Sequence, residues 1–316
     1  MSEAKGFHHI PVLRDEVLSA LQPVPGGVYL DGTVGGGGHA AALLDAVHGE
    51  AKLYALDRDQ DALTAAGKRL APWSGAVTLR HGNFHDAMDI YPGLLFDGIL
   101  LDLGVSSWQL DAAERGFSYH EDAPLDMRMD QSSGITAAEW LNTTDEKTIT
   151  QALYDYADER WAARIAKLIV EMRAETPFAT TQDLVRAVDR AIPKAVRRKD
   201  EGHPARRTFQ AVRIAVNDEL PPLKQALEDL VLMLKPGGRL CVITFHSIED
   251  RAVKQAFAKM KNPCECPVNA PICVCGKKPL VSLPKGYPKA PGEAELQANF
   301  RARSAKLRCA QRLQDE

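Results

Sequence analysis

The sequence predicts an α/β fold, a mainly parallel, doubly wound sheet interrupted by an inserted helical domain. Three observations predict it. Short apolar runs alternate with helical stretches over the first hundred residues. The alternation stops near residue 125 and gives way to a purely helical reading up to about 215. Strand character then returns in RLCVITF (239–245). Short, continuously apolar strands with helices between them are strands covered on both faces, as a parallel sheet requires, and their crossovers should be right-handed.

The elements follow in order. GVYLDG is the first strand and HAAALLDAVH the helix after it. AKLYALDRD is the second strand, QDALTAAGKRLAPW the second helix, AVTLRHGNF the third strand and LLFDGILLDLG the fourth. From 134 the chain reads as helices, with Thr180 or Thr181 placed to cap the one over TTQDLVRAVDRAI. KPGG reads as a turn before the returning strand, and the Pro- and Gly-rich stretch from 262 onward as irregular. The predicted domains are therefore a discontinuous core of 1–124 and 216–316, and a helical insertion over 125–215.

With 316 residues, 45% of them hydrophobic, the chain can build a large core. Its net charge of -3 argues against a generally basic nucleic-acid binder, but the charge is uneven. Residues 190–213 carry eight basic residues (Arg190, Lys194, Arg197, Arg198, Lys199, Arg206, Arg207, Arg213) against two acidic ones, and 285–312 carry seven against two. Two basic patches on an otherwise acidic body point to a localised anionic partner. MSEAKGFHHIPV lacks the apolar stretch of an export signal, and no apolar run approaches the roughly 18 residues of a membrane helix. The expectation is a cytoplasmic protein with no membrane partner, whose six cysteines stay reduced.

The stretch YLDGTVGGGGHA (29–40) ends a strand on an acid and places four glycines before a helix. Backbone N–H groups at such a helix start cradle anions and nucleotides, and missing Cβ atoms allow close approach. Asp57 ends the second strand about 20 residues further on, where an acid accepts from ribose hydroxyls. Two cofactors fit. Gly35-Gly36-Gly37-Gly38-His39-Ala40 satisfies a dinucleotide G-x-G-x-x-A pattern, whereas Asp31 followed by Gly35 and Gly37 suits S-adenosylmethionine. Asp102, at the carboxyl edge of the fourth strand in DGILLDLGVSSWQLD, favours the second, because open α/β sheets bind ligands at that edge.

HHIPVLRDEVL, YLDGTVGGGGHA, ALDRD, HGNF, DGILLDLGVSSWQLDAAERGFSY, PLDMRMD, HPARRTFQAVRIAVNDEL, LKPGGRLCVITFHSIEDR and RARSAKLR, in this order from about residue 8 to 308, resemble the MraW-type 16S ribosomal RNA cytosine-N4 methyltransferases. The resemblance implies a class I (Rossmann-like) S-adenosylmethionine-dependent sheet. It also implies methyl transfer to the N4 amine of a cytosine in the small-subunit rRNA decoding centre, with the substrate expected to be the assembled small subunit. It leaves homodimerisation open. It puts cofactor contacts on Gly37, Gly38 and His39, the ribose acid on Asp57, an adenine shelf on Phe84, and Asp102 and Gln109 at the completed site. Trp108 stands where the family commonly has Pro, and Arg206 where it commonly has Thr. A different nucleobase as substrate, or a non-catalytic assembly factor that senses the cofactor, remain the alternatives.

A cytosine N4 amine is conjugated with its ring and is a poor nucleophile. Asp102, or a hydroxyl of Ser106 or Ser107, is the expected acceptor for its hydrogen, while alignment with the methyl donor contributes roughly 7–11 kcal/mol. No catalytic metal is expected. A displaced base is held by backbone charge and stacking. The 190–213 stretch and RARSAKLR supply the charge, and Trp108, Phe117 and Tyr119 are candidate stacking residues. His246 in TFHSIEDR is expected to orient a helix start capped by Ser247 with Asp250 rather than to act as a base. Cys264-Glu-Cys266 and Cys273-Val-Cys275 offer four thiolates for a structural zinc, or are reduced surface thiols.

Overall fold

The computed structural model describes residues 11–197, 202–267 and 272–314. In chain order, α1 (Arg14–Leu21) is followed by β1 (Val28–Asp31), α2 (Gly38–Ala46), β2 (Lys52–Asp57), α3 (Gln60–Arg69), β3 (Val77–His81), α4 (Ala87–Ile90) and β4 (Phe96–Asp102). Helices α5 (Ser107–Asp111), α6 (Ala137–Thr143), α7 (Glu146–Ala157), α8 (Ala162–Glu175), α9 (Thr181–Ala191), α10 (Lys194–Arg197) and α11 (Arg206–Asn217) come next. Then follow α12 (Leu223–Leu232), β5 (Leu234–Thr244), α13 (Ser247–Lys261), β6 (Val281–Ser282), α14 (Glu293–Ala298) and β7 (Lys306–Arg312).

The chain forms two compact units, residues 1–104 with 222–316, and 105–221. The first holds a seven-stranded sheet of order β3-β2-β1-β4-β5-β7-β6. β1 to β5 pair in parallel, and β7 runs antiparallel to β5, from Arg239 against Gln311 to Thr244 against Lys306. The strand order reverses direction between β1 and β4, so their carboxyl ends frame the crevice in which an open α/β sheet takes its ligand. Leu13, Tyr29, Leu44, Leu53 and Leu307 are among the side chains that fill this unit's core. Asp59 caps α3, its carboxylate accepting from Asp61 N–H at 3.0 Å.

The second unit is helical around its own core, which includes Leu125, Met127, Leu141, Ile149, Ile165, Leu184 and Phe209. Thr180 caps α9, and its N–H donates to the Asp183 carboxylate at 2.8 Å. The unit boundaries fall at 104/105 and 221/222 rather than at 124/125 and 215/216, for reasons carried by polar side chains. Buried Arg115 donates to the carbonyls of Arg128 and Met129, both at 3.0 Å. Thr181 Oγ1 donates to Glu121 O at 2.6 Å and accepts from Ala123 N–H at 3.1 Å. At the other end, Asn217 donates to Met127 O and accepts from Met129 N–H, each at 2.7 Å.

Two further expectations are corrected. KPGG lies within β5 as an irregularity that carries three extra residues, because Phe96 pairs with Leu234 and Gly98 already with Arg239. The stretch after 262 is not wholly irregular, since β6, α14 and β7 lie in it.

Candidate active site

The glycine loop joins β1 to α2. Its shape depends on two left-handed residues, Gly35 (φ 50°) and Gly37 (φ 76°). A Cβ on Gly37 would stand 3.3 Å from Ala66 Cα in α3, and one on Gly38 only 2.7 Å from Pro11 Cγ. The loop is thus pressed against its own unit on one side while its N–H groups open the helix start. Gly37 is the N-cap of α2, so Gly38 and His39 occupy its first turn. Replacing Gly37 with Val is expected to weaken S-adenosylmethionine binding more than tenfold, because the left-handed φ disfavours a branched side chain and Ala66 Cα blocks relief. Isothermal calorimetry beside a circular-dichroism check of folding measures it, and unchanged affinity would take the loop out of the site.

Asp57 holds this loop. Its Oδ2 accepts from Gly35 N–H at 2.8 Å and its Oδ1 from Asp59 N–H at 2.9 Å. Each oxygen keeps a second lone pair for a hydroxyl. Thr33 ties the neighbouring strand ends together: its N–H donates to Asp31 Oδ1 at 3.2 Å, and its Oγ1 accepts from Asp102 N–H at 2.6 Å. Phe84 begins the 3₁₀ turn after β3, half-buried, with its Cβ about where a side chain on Gly32 would clash (3.0 Å).

Three carboxylates therefore end three adjacent strands, Asp57 on β2, Asp31 on β1 and Asp102 on β4. All three are shifted towards the neutral form. Burial pushes Asp102 up to about 8, with the charges of Asp31 and Glu249 adding to it. Burial, opposed by Thr33 N–H and assisted by Asp57, brings Asp31 to about 7. Burial outweighs the N–H groups of Asp59 and Gly35 to bring Asp57 to about 6. Asp102 Oδ1 is buried with no hydrogen-bond partner. Its Oδ2 stands 3.8 Å from Nε2 of buried His39, beyond hydrogen-bond reach. Three neighbouring carboxylates, Asp31 buried and Asp57 and Asp102 half-buried, with one unpartnered oxygen, are matched by a ligand that brings positive charge and donors.

Ser106 and Gln109 lie in the second unit, at the start of α5. Ser106 Oγ accepts from Gln109 N–H at 3.2 Å, and Gln109 Oε1 accepts from Ser106 N–H at 2.9 Å. This is a capping box, and its S-x-x-Q signature was readable in the sequence. Of the stacking candidates, Trp108 is 44% exposed, whereas Phe117 is buried. Tyr119 stacks on His203 at 4.6 Å and meets Phe209 edge-on. Phe117 and Tyr119 are thus packing residues.

At the end of β5 the N-cap of α13 is His246, not Ser247. His246 Nδ1 accepts from Glu249 N–H at 3.3 Å, and Glu249 Oε2 accepts from Phe245 N–H at 2.8 Å. Asp250 instead takes Arg308 in a two-pronged pair (2.7 and 3.0 Å) and Lys306 at 3.3 Å. Burial alone would raise its pKa, but these cations hold it below the ordinary value. Arg308 of RARSAKLR is therefore engaged by Asp250 within the sheet unit, while Lys306, beside the same carboxylate, remains half exposed. Arg213 is likewise bound, to Glu219 at 2.8 and 2.9 Å. Arg198 and Lys199 lie outside the described residues.

A sequence model of the MraW methylase family matches residues 6–313. The chain belongs to the MraW methylase family. It is 53% identical over 311 residues to ribosomal RNA small subunit methyltransferase H of Symbiobacterium thermophilum, covering 98% of each chain. Its identity to the protein of that name from Heliobacterium modesticaldum is 52%, over 97% of this chain and 99% of the relative. For the Geobacter sp. (strain M21) protein of that name it is 50%, again over 97% and 99%. S-adenosylmethionine is the cofactor of this MraW methylase, and the residues present fit it. Its sulfonium and ammonium would match the carboxylate cluster, and its ribose hydroxyls the spare lone pairs of Asp57. Asp31 was read in the quoted loop, whereas Thr33, which binds the Asp102 N–H, and Glu249, which binds the Phe245 N–H, were missed by reading the motifs. Thr33 and Glu249 gave no local signal.

Proposed function

We propose that this chain transfers methyl from S-adenosylmethionine to the exocyclic N4 amine of a specific cytosine in 16S rRNA near the decoding centre, acting on the assembled small subunit. The relatives named as small-subunit rRNA methyltransferases support the substrate class. The observation that carries the chemistry is Asp102, a carboxylate at the sheet's ligand edge whose Oδ1 is buried and unpartnered. Leaving a buried acceptor unmade costs about 1–3 kcal/mol, a cost that a donor arriving with the substrate would remove.

Bound S-adenosylmethionine supplies the methyl group and its own leaving group, so no metal or covalent intermediate is needed. Asp57 and the loop glycines would hold its ribose and amino-acid end, and Phe84 would lie against its adenine. Asp102 accepts a hydrogen of the cytosine amine and turns the nitrogen lone pair towards the methyl. Its raised pKa gives this role a sequence in time. Near pH 7 the ligand-free carboxyl is largely protonated, and positive charge nearby draws it into the ionised, accepting form. Ser106, already accepting in its capping box, serves α5 and only secondarily the amine.

The second unit is the RNA-recognition domain on this reading. Arg164, Lys167 and Arg190 line one surface depression there with Leu168 and Glu171. Reversing Arg164 and Arg190 to Glu is expected to weaken RNA binding and to flatten the slope of log K against log salt by about 0.7 for each phosphate that is no longer neutralised. An unchanged slope would remove this depression from the interface.

The function itself is tested by offering labelled S-adenosylmethionine with small subunits from cells lacking this gene, beside naked rRNA and free cytidine, and mapping the modified base. Label on N4 of one decoding-centre cytosine, in subunits alone, is the expected result. Label on another base selects the other-nucleobase reading. Cofactor binding with no label anywhere selects the assembly-factor reading.

A further inference from the structure

We propose that Cys264, Cys266, Cys273 and Cys275 form a zinc site that fastens the loop between α13 and β6. The site lies apart from the carboxylate cluster, and the proposal does not depend on the methyl-transfer reading.

The geometry of the sulfurs carries it. All four Sγ atoms lie within 4.8 Å of one another. Cys264 and Cys273 are 3.6 Å apart, Cys266 and Cys273 3.8 Å, Cys273 and Cys275 3.5 Å, and Cys275 and Cys264 3.8 Å. A tetrahedral zinc thiolate with Zn–S bonds of about 2.3 Å has sulfur–sulfur edges of about 3.8 Å. Disulfides require about 2.05 Å, and all four cysteines are free thiols. Four of the six sulfur pairs stand at about the edge length of that tetrahedron and the others within 4.8 Å, none at bonding distance, which leaves room for one ion between them.

The surroundings suit a thiolate cluster. Val274 N–H donates to Cys266 Sγ at 3.3 Å. Four thiolates around one divalent ion leave a net charge of −2. Lys259 and Lys277 stand beside the cluster, both paired to Glu265, at 3.2 and 2.6 Å.

The loop also needs such a fastening. Its described residues between Lys261 and Val281 contain no helix or strand. Ile272 and Val274 are 74% and 85% exposed, so these apolar side chains of the described loop residues do not hold it through a core. A backbone bond from Leu280 N–H to Met260 O at 2.9 Å closes its base. A metal is the ordinary means by which a short segment without a core is held in one shape. The one-residue spacing within each pair is shorter than the usual two to four, but the sulfur positions meet the tetrahedral requirement despite it.

The test uses the full chain expressed with zinc in the medium and purified without chelator. About one zinc per chain by mass spectrometry of the metal is expected, falling below about 0.1 in a Cys264→Ser, Cys273→Ser double variant. Because that variant could perturb the loop by itself, a second measurement is made on the unaltered chain. Stripped and reduced, it should take up about one equivalent of cobalt(II) with the visible absorption of a tetrahedral thiolate site, and chelation of the zinc form should expose four fast-reacting thiols. Purification with less than about 0.1 zinc, together with no such cobalt spectrum, would overturn the proposal. So would the finding of the four cysteines as disulfides in freshly prepared protein.

Discussion

Asp102→Asn is expected to lower methyl-transfer turnover at saturating cofactor by about 10²–10⁴-fold, the range of a positioned proton acceptor, while raising the S-adenosylmethionine dissociation constant less than about tenfold. The split between the two constants is what matters. Asn keeps the shape of Asp and one acceptor oxygen, but loses the charge that strengthens a hydrogen bond to a developing ammonium. The Asp102 N–H bond to Thr33 Oγ1 belongs to the backbone, so the strand end stays in place. The like charges of Asp31 and Glu249 work against ionised Asp102. Near pH 7 the ligand-free carboxyl is largely neutral, as Asn is, so the substitution should leave the ligand-free fold intact, which circular dichroism checks. Measuring kcat with saturating subunits and the cofactor Kd by calorimetry separates two roles. If kcat holds while Kd rises a hundredfold, Asp102 serves the cofactor alone and the amine acceptor lies elsewhere. Asp102→Ala, which removes the acceptor altogether, should fall further in kcat than Asn.

Much of the sheet was legible because its strands are short apolar runs bounded by turns, from VYLD to FDGILLD, and such runs are local properties. Asp57 was legible for the same reason, since its distance from the glycines fixes its place at a strand end. What escaped the sequence depended on contacts between residues far apart along the chain. β7 hides in a stretch rich in basic residues, and Arg308 reads as a phosphate contact until Asp250, 58 positions away, is seen to take it. The start of the second unit was misplaced by some twenty residues because Arg115 and Thr181 tie the 115–123 segment to the helices, and no periodicity reports such bonds. The carboxylate cluster is the clearest case. Asp31, Asp57 and Asp102 come together only once the strand order β2-β1-β4 is known.

The same cluster makes cofactor affinity depend on pH in a direction that can be worked out. In the ligand-free fold Asp57, Asp31 and Asp102 sit at about 6, 7 and 8, all above the ordinary carboxyl value of 3.8. Between roughly pH 4 and 8 the folded chain thus holds protons that the unfolded chain has released, and the stability of the ligand-free protein should fall as pH rises through that window. Binding of a cation runs the other way. It favours the ionised carboxylates, so association releases protons, and affinity climbs with pH until all three are ionised above about 8. The expected rise in S-adenosylmethionine affinity from pH 5.5 to 8.5 is on the order of a hundredfold, since each group that ionises on binding adds up to one unit to the slope of log K against pH. S-adenosylhomocysteine is the control, because it carries the same amino-acid end and ribose without the sulfonium charge. Its affinity should climb less steeply over the same range. Calorimetry with both ligands, in buffers of different ionisation enthalpy, measures the slopes and counts the protons released. Parallel slopes would mean that the carboxylates do not respond to the sulfonium. Asp102 would then lack the means proposed here for becoming ionised as the methyl donor arrives.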